Sequence, residues 1–411
     1  MIEFEKFTLN NGLKVIVHQD TSTPLVALNI LYDVGARDED PDKTGFSHLF
    51  EHLMFGGSVN IPKYDVPLEN AGGENNAFTN NDITNYYLTI PKQNLELAFW
   101  LESDRMLNLA FSKKSLKVQQ HVVIEEFKQS YLNQPYGDVW LLLRPLAYKV
   151  HPYQWSTIGK EISHIKNATM DDVKDFYKKF YNPNNAILVV AGNVTTREIK
   201  VLTEKWFGPI NPGEKYIRKL PGEPLQTEER SLSVNRKVPF DSIYTVYHMC
   251  SRKDKSYYAT DLTSDILSNG YSSRLYSRLV IEKRLFSEIN VYISGDIDEG
   301  LFVITGKLMK KVKMEAVHQA IRDELEDIQQ NLVSEIELQK VKNKIESTLQ
   351  FSEINILDKA MNLAYAELLG DADLINQEIL KYQSVTREEI LDTAQNLFKQ
   401  ENSSTLFYHA K

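Results

Sequence analysis

The segment GFSHLFEHLMFGG, residues 45–57, sets His48, Glu51 and His52 among Leu49, Phe50, Leu53, Met54 and Phe55 and closes on Gly56-Gly57. Residues four apart on an α-helix stand one above the other, with Cβ atoms roughly 5–6 Å apart. His48 and His52 therefore project toward one point, where two imidazoles can share a metal ion. Glu51, three residues after His48 and one before His52, sits beside the pair, in reach of a water on that metal and in the place of a general base. The apolar residues around the trio predict a buried helix over 44–56, stopped by the glycine pair. Buried polar groups need partners, and the chain has 9 histidines in 411 residues, so this spacing asks for a third ligand.

The stretch SLKVQQHVVIEEFKQSYL, residues 115–132, has a helical pattern and two adjacent glutamates. On the helical wheel Glu125 falls with Lys114, Lys117, His121 and Lys128, whereas Glu126 falls between Val122 and Val123 on the apolar side. Glu125 reads as a solvated charge. A carboxylate on the buried side has to be ion-paired or metal-bound, so Glu126 is the candidate third ligand, with a buried salt bridge as the alternative. Two histidines, one carboxylate and a water make up a catalytic zinc set. The expectation is one Zn2+ per chain, held by His48, His52 and Glu126.

HLFEH followed by a glutamate after 73 intervening residues resembles the inverzincin metallopeptidases, the insulinase, pitrilysin and mitochondrial-processing-peptidase family, whose motif inverts the commoner zincin order. GGENNAFTNNDITNYYLTIP (72–91) is similar to that family's edge-strand segment and HVVIEEF (121–127) to its third-ligand helix. HPYQWSTIGKEI (151–162) and FYNPNNAILVVAGNV (180–194) are similar to the end of its catalytic domain. One departure is Gln119, where the family often has an acidic residue seven positions before the metal glutamate. The resemblance implies a zinc-dependent endopeptidase acting on peptides or unfolded segments, in a chain that forms one half of a clam-shell chamber. Zinc lowers the pKa of its bound water to about 7, and Glu51 takes the water's proton and returns it to the leaving amine. NNAFTNN (75–81) reads as an accessible edge strand able to accept a peptide as a further strand. By resemblance, Asn76, Ala77, Phe78 and Thr79 hold the substrate backbone, and Tyr87 is a transition-state candidate.

Composition fits an ordinary enzyme, 42% hydrophobic and 25% charged. A net charge of -9 and a pI near 5.6 leave no basic excess to neutralise phosphates, so nucleic acid and membrane surfaces are not expected partners. The single cysteine, Cys250, rules out a disulfide within the chain and fits a reducing compartment. MIEFEKFTLNNGLKVIVHQD, residues 1–20, begins with a strand pattern and an Asn11-Gly12 hairpin turn rather than a charged leader and apolar block. The expected location is cytoplasmic.

Strands are predicted over 13–18, 25–34, 83–90 and 186–191 and helices over 44–56, 92–109, 114–132 and 170–181, an α+β arrangement. GPINPGEKYIRKLPGEPLQTEE, residues 208–229, has four prolines and little periodicity, and reads as a linker. TMDDVKDFYKKFYNPNNAILVV from Thr169 aligns without gaps on TREEILDTAQNLFKQENSSTLFY from Thr386, and FSKKSLKVQQHVVIEE from Phe111 on VSEIELQKVKNKIEST from Val333. The chain therefore divides into a zinc-binding domain, 1–210, a linker, 211–228, and a homologous domain, 229–411, each with a mixed sheet and packed helices. Thr348 stands opposite Glu126, and ATDLTSDILSNGYSSRL (259–275) occupies the place of the histidine helix, so the second copy has no metal motif.

The family's solitary and paired members complete the substrate site with an Arg and a Tyr from a segment like Leu-Arg followed by Gly-Tyr six residues later. Aligned on RLVIEKRLFSEINVY (278–292), those places hold Val280 and Ser287, with Arg284 and Tyr292 at the wrong offset. The resemblance thus implies a homologous partner subunit that lacks the zinc motif and supplies the pair, or alternatively a homodimer. Two other readings stay open: a noncatalytic peptide-binding subunit of a peptidase complex, and a metal hydrolase for a small molecule.

Overall fold

The Asn11-Gly12 turn forms as its residues require. Gly12 adopts φ +87°, in the left-handed region that favours glycine, and joins β1 (Glu5–Thr8) to β2 (Lys14–Gln19) in an antiparallel hairpin. The computed structural model describes all 411 residues. The chain continues through β3 (Leu25–Tyr32), α1 (Phe46–Met54), α2 (Asp65–Asn70), β4 (Glu74–Thr79), β5 (Thr84–Pro91), α3 (Leu95–Leu107) and α4 (Lys113–Phe127). After α5 (Val139–Ala147) come α6 (Ile162–Lys166), α7 (Met170–Phe180), β6 (Ala186–Gly192) and α8 (Thr196–Trp206). The first sheet has the order β1-β2-β6-β3-β5-β4, with β2 and β6 parallel. β3 is buried from its second residue onward and β6 throughout, as continuous apolar strands covered on both faces must be.

The second half runs through β7 (Arg230–Arg236), β8 (Ser242–His248), α9 (Tyr257–Ser268), β9 (Phe286–Ile293), β10 (Leu301–Leu308), α10 (Met314–Gln330), α11 (Glu335–Ser352), α12 (Ile356–Leu369), α13 (Leu374–Ser384), α14 (Arg387–Leu397) and β11 (Ser403–Ala410). Its sheet, β7-β11-β8-β10-β9, repeats the first with β1 removed, down to the parallel pairing of β7 with β11. The repeat extends to side chains. Thr169 and Thr386 each cap a helix in a reciprocal capping box, with Asp172 and Glu389 as the third residues, and each satisfies two end N–H groups that the helix cannot.

The chain does not divide at one point, as the expected 1–210 and 229–411 domains require. One compact unit comprises residues 1–129, 155–220 and 350–377, and the other 130–154, 221–349 and 378–411. The reason is that each sheet has an apolar underside to cover. In the first unit α12 fills that role, packing Ala360, Leu363 and Ala364 against Ala27, Leu31, Ile187 and Val189. In the second it is α5, whose Val139, Leu143 and Ala147 meet Val246, Val303 and Leu406. The segment 211–228 has no helix or strand, yet it is tied down. Arg218 bonds Asp33 and Asp38 at 2.8 and 2.7 Å in the first unit, while in the second the Glu223 carboxylate accepts the N–H groups of Lys149, Val150 and His151. No helix is long and apolar enough to cross a membrane.

Candidate metal centre

α1 begins at Gly45, whose φ is +88° and where a Cβ would lie 2.7 Å from the Ile158 carbonyl oxygen, so only glycine fits. The buried Glu39 carboxylate accepts the N–H groups of Gly45 and Ser47, both at 2.8 Å, and satisfies the first turn. Burial nevertheless pushes its carboxyl up to about 8. Phe50 anchors the inner face of α1, with its ring 5.0 Å from those of both Phe176 and Tyr181. With Leu49, Phe50, Leu53 and Met54 buried, the flank left partly open carries His48, Glu51 and His52, and the two imidazoles meet edge-on at 4.8 Å.

α4 is capped by Ser112, whose side chain accepts the Ser115 N–H, and it buries Leu116, Val123 and Phe127. Glu126 lies beside that stripe rather than within it. Its side chain is 41% exposed and Val122 is 43% exposed, so the expectation that Glu126 lies on the buried, apolar side of its helix is corrected. The carboxylate occupies the flank of α4 turned toward α1. Its Oε2 lies 3.3 Å from His52 Nε2 and 3.6 Å from His48 Nε2, whereas Glu125 pairs with Lys128 at 2.7 Å.

One ligand atom from each of His48, His52 and Glu126 lies within 4.8 Å of the others. Two imidazole nitrogens and a carboxylate oxygen around one point are the donors that zinc takes, so the residues fit the ion. The charge states of His48 and Glu126 fit as well. Burial holds the His48 imidazole below its usual pKa, and thus neutral, and a hydrogen bond from His52 holds the Glu126 carboxyl below the usual range, and thus ionised. Metal ligands need those forms.

Glu51 meets the edge strand: Thr79 Oγ1 donates to its Oε2 at 2.6 Å. β4 borders the sheet and pairs Ala77 with Tyr86, Asn76 with Tyr87 and Thr79 with Thr84. Side chains alternate along a strand, so Ala77 and Thr79 share the Tyr86 face, while Asn76, Phe78 and Tyr87 point to the opposite face. Tyr87 therefore does not share the face from which Thr79 reaches Glu51, and burial pushes its hydroxyl up. Asn76 Oδ1 accepts the Ala77 N–H at 2.9 Å, and Phe78 is 36% exposed.

In the second unit, Val280 packs against the apolar core and the Ser287 hydroxyl donates to the Lys307 carbonyl. On α11 the Thr348 hydroxyl donates to the Lys344 carbonyl. The Glu39 cap and the Thr79 bond were not anticipated, since neither follows from a spacing within one element.

The family description "Insulinase (Peptidase family M16)" matches residues 14–158, which hold all four site residues, and "Peptidase M16 inactive domain" matches residues 167–345, which hold none. The chain is 31% identical to the zinc protease PqqE of Helicobacter pylori, over 98% of this chain and 92% of that one. The chain belongs to the insulinase family, peptidase family M16. This insulinase-family chain also superposes on the crystal structure of a protease from Helicobacter pylori with a TM-score of 0.94, at 29% identity, covering 99% of this chain and 100% of that one. It is 27% identical to the mitochondrial-processing peptidase subunit beta of Saccharomyces cerevisiae, over 51% of this chain and 45% of that protein. The full-length relatives that carry a metal in their names are zinc proteases, among them PqqE.

Proposed function

We propose that this insulinase-family chain is a zinc-dependent endopeptidase for peptides or unfolded segments, enclosed in a chamber during cleavage. The observation that carries the reading is the convergence of His48, His52 and Glu126 within 4.8 Å of one another, with Glu51 on the same helix flank. His48, His52 and Glu126 would hold a zinc ion there, and the ion would supply Lewis acidity and lower the pKa of a water to about 7. Glu51 accepts that water's proton and delivers it to the leaving amine. The free edge of β4 takes the peptide as an added strand, with the main chain of Asn76, Ala77, Phe78 and Thr79 as its partner.

The noncatalytic alternative draws on the "inactive domain" match, but that match spans 167–345 and leaves every site residue outside it. Val280 and Ser287 stand where an Arg and a Tyr are expected, and one relative is named as a subunit. These support a homologous partner that supplies the pair, with a homodimer as the alternative. The test is to incubate the zinc-loaded chain with an unfolded basic peptide, with and without chelator, and to weigh the fragments. Zinc-dependent internal cleavage supports the reading, and intact peptide under saturating zinc, alone and with a homologous partner, overturns it.

A further inference from the structure

We propose that Thr79 is a positioning residue for Glu51, acting through its hydroxyl while its main chain stays available to the peptide. The inference rests on the reading of Glu51 as the base.

The argument begins with the freedom of a glutamate. Glu51 is half-buried on an open helix flank, and three side-chain torsions separate its carboxylate from the backbone. A base that wanders by an ångström loses much of its effect. Thr79 Oγ1 reaches Glu51 Oε2 at 2.6 Å, within the range of a charge-assisted hydroxyl–carboxylate bond. The donor is rigid, because threonine is β-branched and stiff about its first torsion and its backbone is registered against Thr84 in the sheet. With Oε2 occupied by this bond, Oε1 is the oxygen left to take a proton. The hydroxyl also cannot serve a substrate carbonyl while it donates its single hydrogen to Glu51.

The same strand is the sheet's free edge. A peptide added to β4 is placed by that strand's backbone, and the base is placed by that strand's side chain. One rigid element thus sets both the scissile carbonyl and the carboxylate that serves it, the condition under which catalytic geometry survives thermal motion.

The test compares Thr79→Val, which keeps the shape and loses the donor, with Thr79→Ser, which keeps the donor, in zinc-loaded protein with an internally quenched unfolded peptide as probe. Loss of a hydrogen bond to a charged group predicts a fall in kcat of about 10- to 100-fold for Thr79→Val, with KM within about twofold and zinc content unchanged. Thr79→Ser is expected to return kcat to within about threefold of the parent. A rise in KM at constant kcat would assign Thr79 to substrate binding, and a Thr79→Ser as slow as Thr79→Val would reduce its role to packing; either result overturns the proposal. A second measurement needs no turnover. In chelator-treated protein, the denaturation midpoints of Thr79→Val, Glu51→Ala and the double variant form a cycle, and the two single shifts are expected to exceed the double shift. Additive shifts overturn the bond. If Glu51→Gln hydrolyses peptide like the parent, the general-base reading itself falls, and the cycle still reports separately on whether Thr79 holds Glu51.

Discussion

His52 Nε2 lies 3.3 Å from Glu126 Oε2, an approach made by two helices whose ligands are separated by 73 intervening residues in the chain. Glu125, the next residue along, turns away to Lys128. Glu126→Gln is therefore expected to weaken zinc binding by at least about 100-fold, the upper end of what losing even a supporting partner costs, while Glu125→Gln leaves it unchanged. Metal analysis after dialysis against a graded chelator reads the difference. Equal losses in the two variants would mean that Glu126 is not the ligand.

Glu51 accepts the hydrogen of Thr79 Oγ1 through Oε2. Glu51→Gln is expected to lower kcat by about 10²- to 10⁴-fold, the usual contribution of a general base, with zinc stoichiometry intact. Zinc lost in parallel with activity would make Glu51 a ligand instead.

Phe50 carries α1 on its stack with Phe176 and Tyr181 and is fully buried. Phe50→Ala is expected to destabilise the protein by about 3–5 kcal/mol, from lost transfer energy and the cavity left behind. Chemical denaturation measures it, and a loss below about 1 kcal/mol would show that α1 does not depend on that contact.

In the second unit the carboxyl of Asp261 is pushed up to about 6, chiefly by burial and further by Asp265 and Glu378, against a lowering by the Tyr382 hydrogen bond and Arg252. The Tyr382 hydroxyl donates to it at 2.6 Å. A folded-state pKa above the unfolded value of 3.8 means that the native state binds the proton more tightly. The stability so gained is full below about pH 4 and is lost as pH rises through about 6. Relative to Asp261→Asn, which does not titrate and still accepts the tyrosine hydrogen, the parent is expected to lose about 2 kcal/mol between pH 4 and 7. Denaturation midpoints across that range check it, and parallel pH curves for the two proteins would remove the titration.

What the sequence discloses here is what repeats locally. HLFEH declares its helix and the meeting of its two imidazoles because they are neighbours on one turn, and the Thr169 and Thr386 boxes declare two helix starts because the cap and its third residue are three apart. β2, β3, β5 and β6 fall within about two residues of the expected strands, as continuous or alternating apolar runs allow. The wheel reading of α4 picks out the glutamate that lies beside His48 and His52, but for an inexact reason, since Val118 and Val122 are exposed valines that drag the apparent apolar face away from the true one. The side of Tyr87 was readable from alternation with Tyr86. The destinations of α5 and α12 were not: an apolar helix face states that it must be covered and is silent on which sheet will cover it.

That exchange bears on how the protein is made. The underside of the first sheet, including Ala27, Leu31 and Val189, waits for α12, which starts at Ile356, long after β6 ends at Gly192. At about 5–20 residues per second, a ribosome takes roughly 10–30 s to deliver the one from the other. For that interval the nascent chain carries a nearly complete sheet with a bare apolar floor, a surface of the kind that chaperones grip and that neighbouring nascent chains adhere to.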